Sequence, residues 1–209
     1  MEKNEQIDVS NKEVKYSLNI LRIILFIFCI SLAGCASLHG SIFMKDPLSA
    51  EEHNNLGVIY EREGKYNLAI REYKRAIHSD TTLITPLVNL GNVYFRKGEY
   101  TEAEKYYKKA LKKDETNLEA ANNLASLYIE TGVDYETGLQ LMIRATNNLE
   151  EIPPYALDTL GVLYLNLGSK VEAEKFLIEA CSGIKSNDIL KQEIRSHLLE
   201  LGINKRCEQ

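Results

Sequence analysis

Hydrophobic and polar positions change character three times along the chain. From Ile23 to Gly34 the residues IILFIFCISLAG carry no charge, and Arg22 stands directly before them. A bilayer-crossing helix needs about 20 apolar residues, so this run is short for a span and suits the core of an export signal. From Asn54 onward, small and large apolar residues return at fixed intervals. NNLGVIYEREGKYNLAIREYKRA from Asn54 recurs 34 residues later as VNLGNVYFRKGEYTEAEKYYKKA from Val88. It returns as NNLASLYIETG from Asn122 and as TLGVLYLNLGSKVEAEKFLIEA from Thr159. Near the end, Leu190, Ile194, Leu198 and Leu201 stand at spacings of 4, 4 and 3. That stripe predicts an amphipathic helix over 188–201, with Asp188 favouring its N-terminus and Gly202 stopping it.

The period resembles the tetratricopeptide repeat, a helix-turn-helix unit of 34 residues. The resemblance implies an all-α fold, a right-handed superhelical solenoid of four units plus a C-terminal capping helix. The units are expected at 50–83, 84–117, 118–153 and 154–187, with 188–201 as the cap and 202–209 as a polar tail. Gly57, Gly91, Ala125 and Gly161 then fall where the two helices of a unit cross, where a larger side chain would force them apart. Ala69, Ala103, Gly138 and Ala173 face that crossing from the second helix. Gly64, Gly98, Gly132 and Gly168 end the first helices, where the backbone turns left-handed at little steric cost. The third unit carries two extra residues, at least one of them in the Gly132–Tyr135 turn.

Leu32-Ala33-Gly34-Cys35 is similar to the lipobox of bacterial lipoproteins, in which a peptidase cuts before a lipid-modified cysteine. This resemblance implies a signal peptide over 1–34, lipidation of Cys35 and a tether from there through residue 49. Two or more acyl chains hold a protein stably on its membrane where one is marginal. Ala36 after the cysteine implies the outer membrane, on its periplasmic face. An uncleaved anchor with a chance LAGC is the alternative.

Composition narrows the function classes. A hydrophobic share of 44% with 26% charged residues is that of a folded protein. A net charge of -5 gives a nucleic-acid partner no electrostatic basis. No catalytic motif occurs, so no enzyme activity and no cofactor are expected. His53 lies at a packing position, and His197 reads as a solvated residue of the cap helix. Cys181 and Cys207 are either a disulfide made after export or, at Cys181, a core residue like its counterparts Ile77 and Leu111. Lys105, Lys108, Lys109, Lys112 and Lys113 read as a solvated convex face with Glu102 and Glu104 as helical partners. Attraction to anionic polymer or lipid headgroups is the sharper alternative.

In tetratricopeptide repeats the first helices line a concave groove for a peptide or partner helix. Asn55, Asn89 and Asn123 recur just before the packing leucines and resemble an asparagine ladder that grips an extended ligand, with Asn92 and Asn122 beside them. Carboxamides suit that task because each offers a donor and an acceptor. The resemblance therefore implies a membrane-tethered adaptor with a protein or peptide partner, supporting assembly of an envelope complex. Pilus or secretin biogenesis and recruitment of wall enzymes are the layouts it shares. An accessory subunit of a polysaccharide or export system, or a self-associating solenoid, is the alternative.

Overall fold

A computed structural model describes Leu25 and residues 46–184 and 189–203. The chain divides into two units, Met1–Pro47 and Leu48–Gln209. Cys35, Cys207, Asp188 and most of the expected tether lie outside the described residues. The repeats all belong to the second unit.

Nine helices and no strands occur among the described residues of that unit. They pair as α1 (Ala50–Arg62) with α2 (Tyr66–Ser79), and α3 (Thr85–Arg96) with α4 (Tyr100–Lys113). α5 (Leu118–Thr131) pairs with α6 (Tyr135–Thr146), and α7 (Pro154–Asn166) with α8 (Lys170–Ser182). α9 (Ile189–Glu200) packs on α8 and α7. Ser49 opens the array with a capping box, its hydroxyl accepting from the Glu52 amide while the Glu52 carboxylate accepts from the Ser49 amide. Among the described residues no helix is long and apolar enough to cross a membrane.

The packing follows from the small residues. A Cβ placed on Gly57 would lie 2.5 Å from the Tyr73 ring, and one on Gly91 2.4 Å from the Tyr107 ring. In the fourth unit Leu177 takes the ring's place, 2.6 Å from a Cβ on Gly161. The third unit departs by placing Ala125 at the crossing, and Met142 holds the register of the tyrosines. Both are fully buried. Gly138 lies against Ala125 and against Leu163 of the next unit. Each unit thus leaves room opposite one bulky residue of its second helix.

First helices of successive units touch one another, whereas second helices touch first helices and, at the end of the array, the cap. The first helices therefore line the inner, concave side and the second helices the outer one. The four turn glycines have φ between 70° and 78°. One of the third unit's two extra residues is absorbed at Asp134, which takes a left-handed φ of 54° that a side chain disfavours. The cap closes a core of Leu157, Leu177, Ala180 and Cys181 with Ile194 and Leu198.

Candidate functional site

Polar side chains mark the seam between successive first helices. Asn89 donates an N–H to Asn54 Oδ1 at 3.0 Å, joining α3 to α1. One unit on, Val88 stands where Asn54 stood, so Asn123 has no carboxamide in that register. Its N–H goes instead to Asn92 Oδ1 at 2.8 Å, joining α5 to α3. In the next seam Thr159 donates its hydroxyl back to the Tyr155 carbonyl, and Asn122 Oδ1 is buried without a hydrogen-bond partner. The last seam is His197 Nδ1 against Asp158 Oδ1 at 2.8 Å, with α9 occupying the place of a fifth first helix.

Three expectations change in this light. Asn55, Asn89 and Asn123 do not act alike. Asn55 is exposed, while the other two each spend an N–H on a neighbouring helix. Asn122 lies in a seam. His197 is not simply solvated, because its Asp158 hydrogen bond draws it into the cap interface and raises its pKa against the opposing effect of burial. The repeat spacing held no signal of this, since the position 34 residues after Thr159 is Glu193 and not His197.

Asn92 and Asn123 form a polar pair in the seam that opens on a cavity. Asn92 Oδ1 also accepts from the Tyr107 hydroxyl at 2.8 Å. Burial pushes the Tyr107 phenol well above its ordinary pKa, so it stays a donor. With its oxygen occupied twice, Asn92 keeps its amide N–H groups for another partner, and Asn123 keeps its oxygen. A cavity of about 360 Å³ opens on them, lined also by Phe95, Arg96, Glu119 and Ser126. Arg96 reaches back to Glu61 at 3.4 Å, and Glu61 accepts from the Tyr73 hydroxyl at 2.7 Å. The concave face of the first two units is therefore one connected polar surface with an aromatic patch at Phe95.

Outside the groove, His53 and Glu72 are each 1% exposed and meet at 2.9 Å. The repeat pattern places His53 in the packing but does not reveal this partner. Cys181 is 2% exposed and disulfide-bonded, with its partner outside the described residues. Among the described residues no group of His, Cys, Asp or Glu is arranged to hold a metal ion.

Comparison with known proteins agrees with the fold. The tetratricopeptide repeat profile matches residues 50–82 and 86–117. No curated protein matches the sequence. A tetratricopeptide repeat protein from Parabacteroides merdae is 26% identical, over 78% of this chain and 63% of that one, with a TM-score of 0.64. The chain thus spans under two thirds of that protein's length. Pseudomonas aeruginosa pilF is 20% identical over 72% of this chain and 68% of its own, with a TM-score of 0.63. MamA is 23% identical over 73% and 88% respectively, with a TM-score of 0.58. Profile, register and architecture agree, and this chain carries tetratricopeptide repeats on an all-helical solenoid.

Proposed function

We propose that the protein is a lipid-anchored adaptor of the bacterial cell envelope that holds an extended segment of a protein partner across α3 and α5. The observation that carries this is the Asn92–Asn123 pair, held by Tyr107 and facing the concave cavity. The free N–H groups of Asn92 and the free oxygen of Asn123 match the carbonyl and amide of a peptide unit. Phe95 offers an apolar contact beside them, and Arg96 and Glu119 offer charge of either sign. Solenoids of this kind present extended concave surfaces to partners. The envelope part rests on LAGC at 32–35 after an uncharged run, and the outer-membrane setting rests on Ala36 after the cysteine.

Peptides selected against the full chain from a random library supply a ligand for calorimetry. Asn92→Ala with Asn123→Ala should weaken binding by about 0.5–1.5 kcal/mol per lost hydrogen bond, whereas Asn55→Ala should leave it unchanged. Equal affinity in a well-folded double variant would move the groove elsewhere. Separately, Cys35→Ser should stop uptake of labelled palmitate and leave an unprocessed precursor. Normal maturation of that variant would remove the anchor from the proposal.

A further inference from the structure

The outer face of the first two units is basic in a way the last two do not share. On α2 the exposed residues include Arg71, Lys74, Arg75 and His78, at the spacing of one helix face. Thirty-four residues on, α4 shows Lys105, Lys108, Lys109 and Lys112 in the same register, all exposed. Lys113 extends the stripe and donates to the Thr81 carbonyl at the end of the preceding unit. The third unit has Gln140, Ile143, Arg144 and Asn147 in these positions, and the fourth has Lys175, Ile178, Glu179 and Ser182. A face that merely needed solvation would have no reason to concentrate one sign in two adjacent units of an acidic protein.

The nearby carboxylates do not cancel it. Buried Glu72 pairs with Arg71 at 2.9 Å and Arg75 at 3.4 Å. Glu102 holds Lys105 at 2.8 Å and Glu104 holds Lys108 at 2.6 Å. On the two helices, eight permanent cations thus stand against three carboxylates on this face. Lys74 and Lys109 flank the stacked rings of Tyr94 and Tyr106, whose centroids are 5.5 Å apart. The stack therefore lies between a cation of α2 and one of α4. The surface is convex and mostly lysine, which suits a broad, fluid array of anions. A single phosphate would call for a pocket and the planar fork of arginine.

We infer that this outer face of α2 and α4 docks on the anionic phospholipid surface of the membrane that carries the protein. The choice of a membrane rests on the lipid-anchor reading. Ala50 follows Cys35 by 15 residues, a reach of at most about 50 Å, so the two basic units are the first that the chain can lay on its bilayer. The acyl chains hold the protein on its membrane, and each basic residue near an anionic leaflet adds to the attraction of this face for it.

The test uses the full chain bearing Cys35→Ser, so that no acyl chain contributes. Binding is measured to phosphatidylcholine vesicles and to vesicles containing phosphatidylglycerol, at low and at physiological ionic strength. The uncharged 23–34 run acts alike on both, and Lys12, Lys15 and Arg22 before it stay the same in parent and variant, so the basic face is read from the preference that its removal abolishes. Adding Lys74→Gln, Lys109→Gln and Lys112→Gln should reduce that preference about five-fold per residue, roughly a hundred-fold together. Their helicity and melting should match the parent. Raised salt should erase the preference. Equal binding to both vesicles, or an unchanged preference in the triple variant, overturns the inference. So does stronger binding to dissolved polyphosphate at matched charge, which would make the partner a polymer. Palmitate uptake by the unaltered chain reports on the anchor alone, so the two failures are distinguishable.

Discussion

Replacing Gly91 by alanine tests how helix crossing and groove are joined. The new Cβ would lie 2.4 Å from Tyr107 Cε1 and 2.6 Å from Cδ1, against about 3.5–4.0 Å for carbon atoms at rest. The ring must retreat by about 1 Å. It is only 2% exposed and its hydroxyl is bonded to Asn92, so it has little room. Overpacking of this kind costs about 1–3 kcal/mol, and alanine recovers about 1 kcal/mol over glycine in a helix. The net loss is up to about 2 kcal/mol. The third unit shows the remedy, with Ala125 at the crossing and Met142 in the tyrosine's register. Gly91→Ala with Tyr107→Met should therefore be more stable than the two single losses would give. Urea melts of the four proteins measure that coupling, expected at about 1–3 kcal/mol. Peptide affinity should stay low in the double variant, because Asn92 has lost its hydroxyl partner. A coupling under about 0.5 kcal/mol would refute the assigned contact.

Other outcomes turn on single sites. Because Asp158 raises the His197 pKa above its ordinary 6.5, its stabilisation is complete below that pH and is lost as pH rises through the folded value. Melting temperature should accordingly fall from about pH 6.5 upward, and His197→Gln should flatten the profile. Burial opposes ionisation of Glu72, but Arg71, His53 and Arg75 outweigh it and hold the carboxyl below its ordinary 4.5. That contribution is present above the unfolded value and lost as pH falls through the folded one. Glu72→Ala should cost about 3–5 kcal/mol in a denaturant melt, while His53→Leu with Glu72→Phe, the pairing found at Leu157 and Phe176, should be nearly neutral. Asp134→Gly should stabilise by about 0.5–1 kcal/mol in the same assay, since φ is 54° there.

Much of the fold was legible because its rule is local and repeated. A glycine at the crossing and a glycine after the first helix recur at one spacing, and each has a steric reason independent of the other units. The seam was not legible in the same way. Asn89 and Asn123 hold the same register, yet one turns to Asn54 and the other to Asn92, because position 88 is valine where position 54 is asparagine. A hydrogen bond between units depends on two residues from different repeats, and reading one column of the repeat supplies only one of them. The same blindness hid the partners of His53 and His197.

The crossing and the groove are one device in the first two units. Tyr73 and Tyr107 fill the space that Gly57 and Gly91 leave, and their hydroxyls emerge on the concave side at Glu61 and Asn92. Met142 and Leu177 hold the same register in the later units and bring no polar atom with them. A phenol that must be buried for packing and satisfied for polarity ties the second helix to the groove surface of the first. The same two units carry the basic outer face, while the proposed peptide contact runs from the second unit onto α5 of the third. The fourth unit and the cap then have a different task, which is to bury the apolar flank that the third unit would otherwise expose. Loss of α9 should for that reason lower stability while sparing the Asn92–Asn123 contact, so peptide affinity per folded molecule should be retained. A truncation after Ser182 that kept its fold but lost affinity would place part of the binding surface on α9.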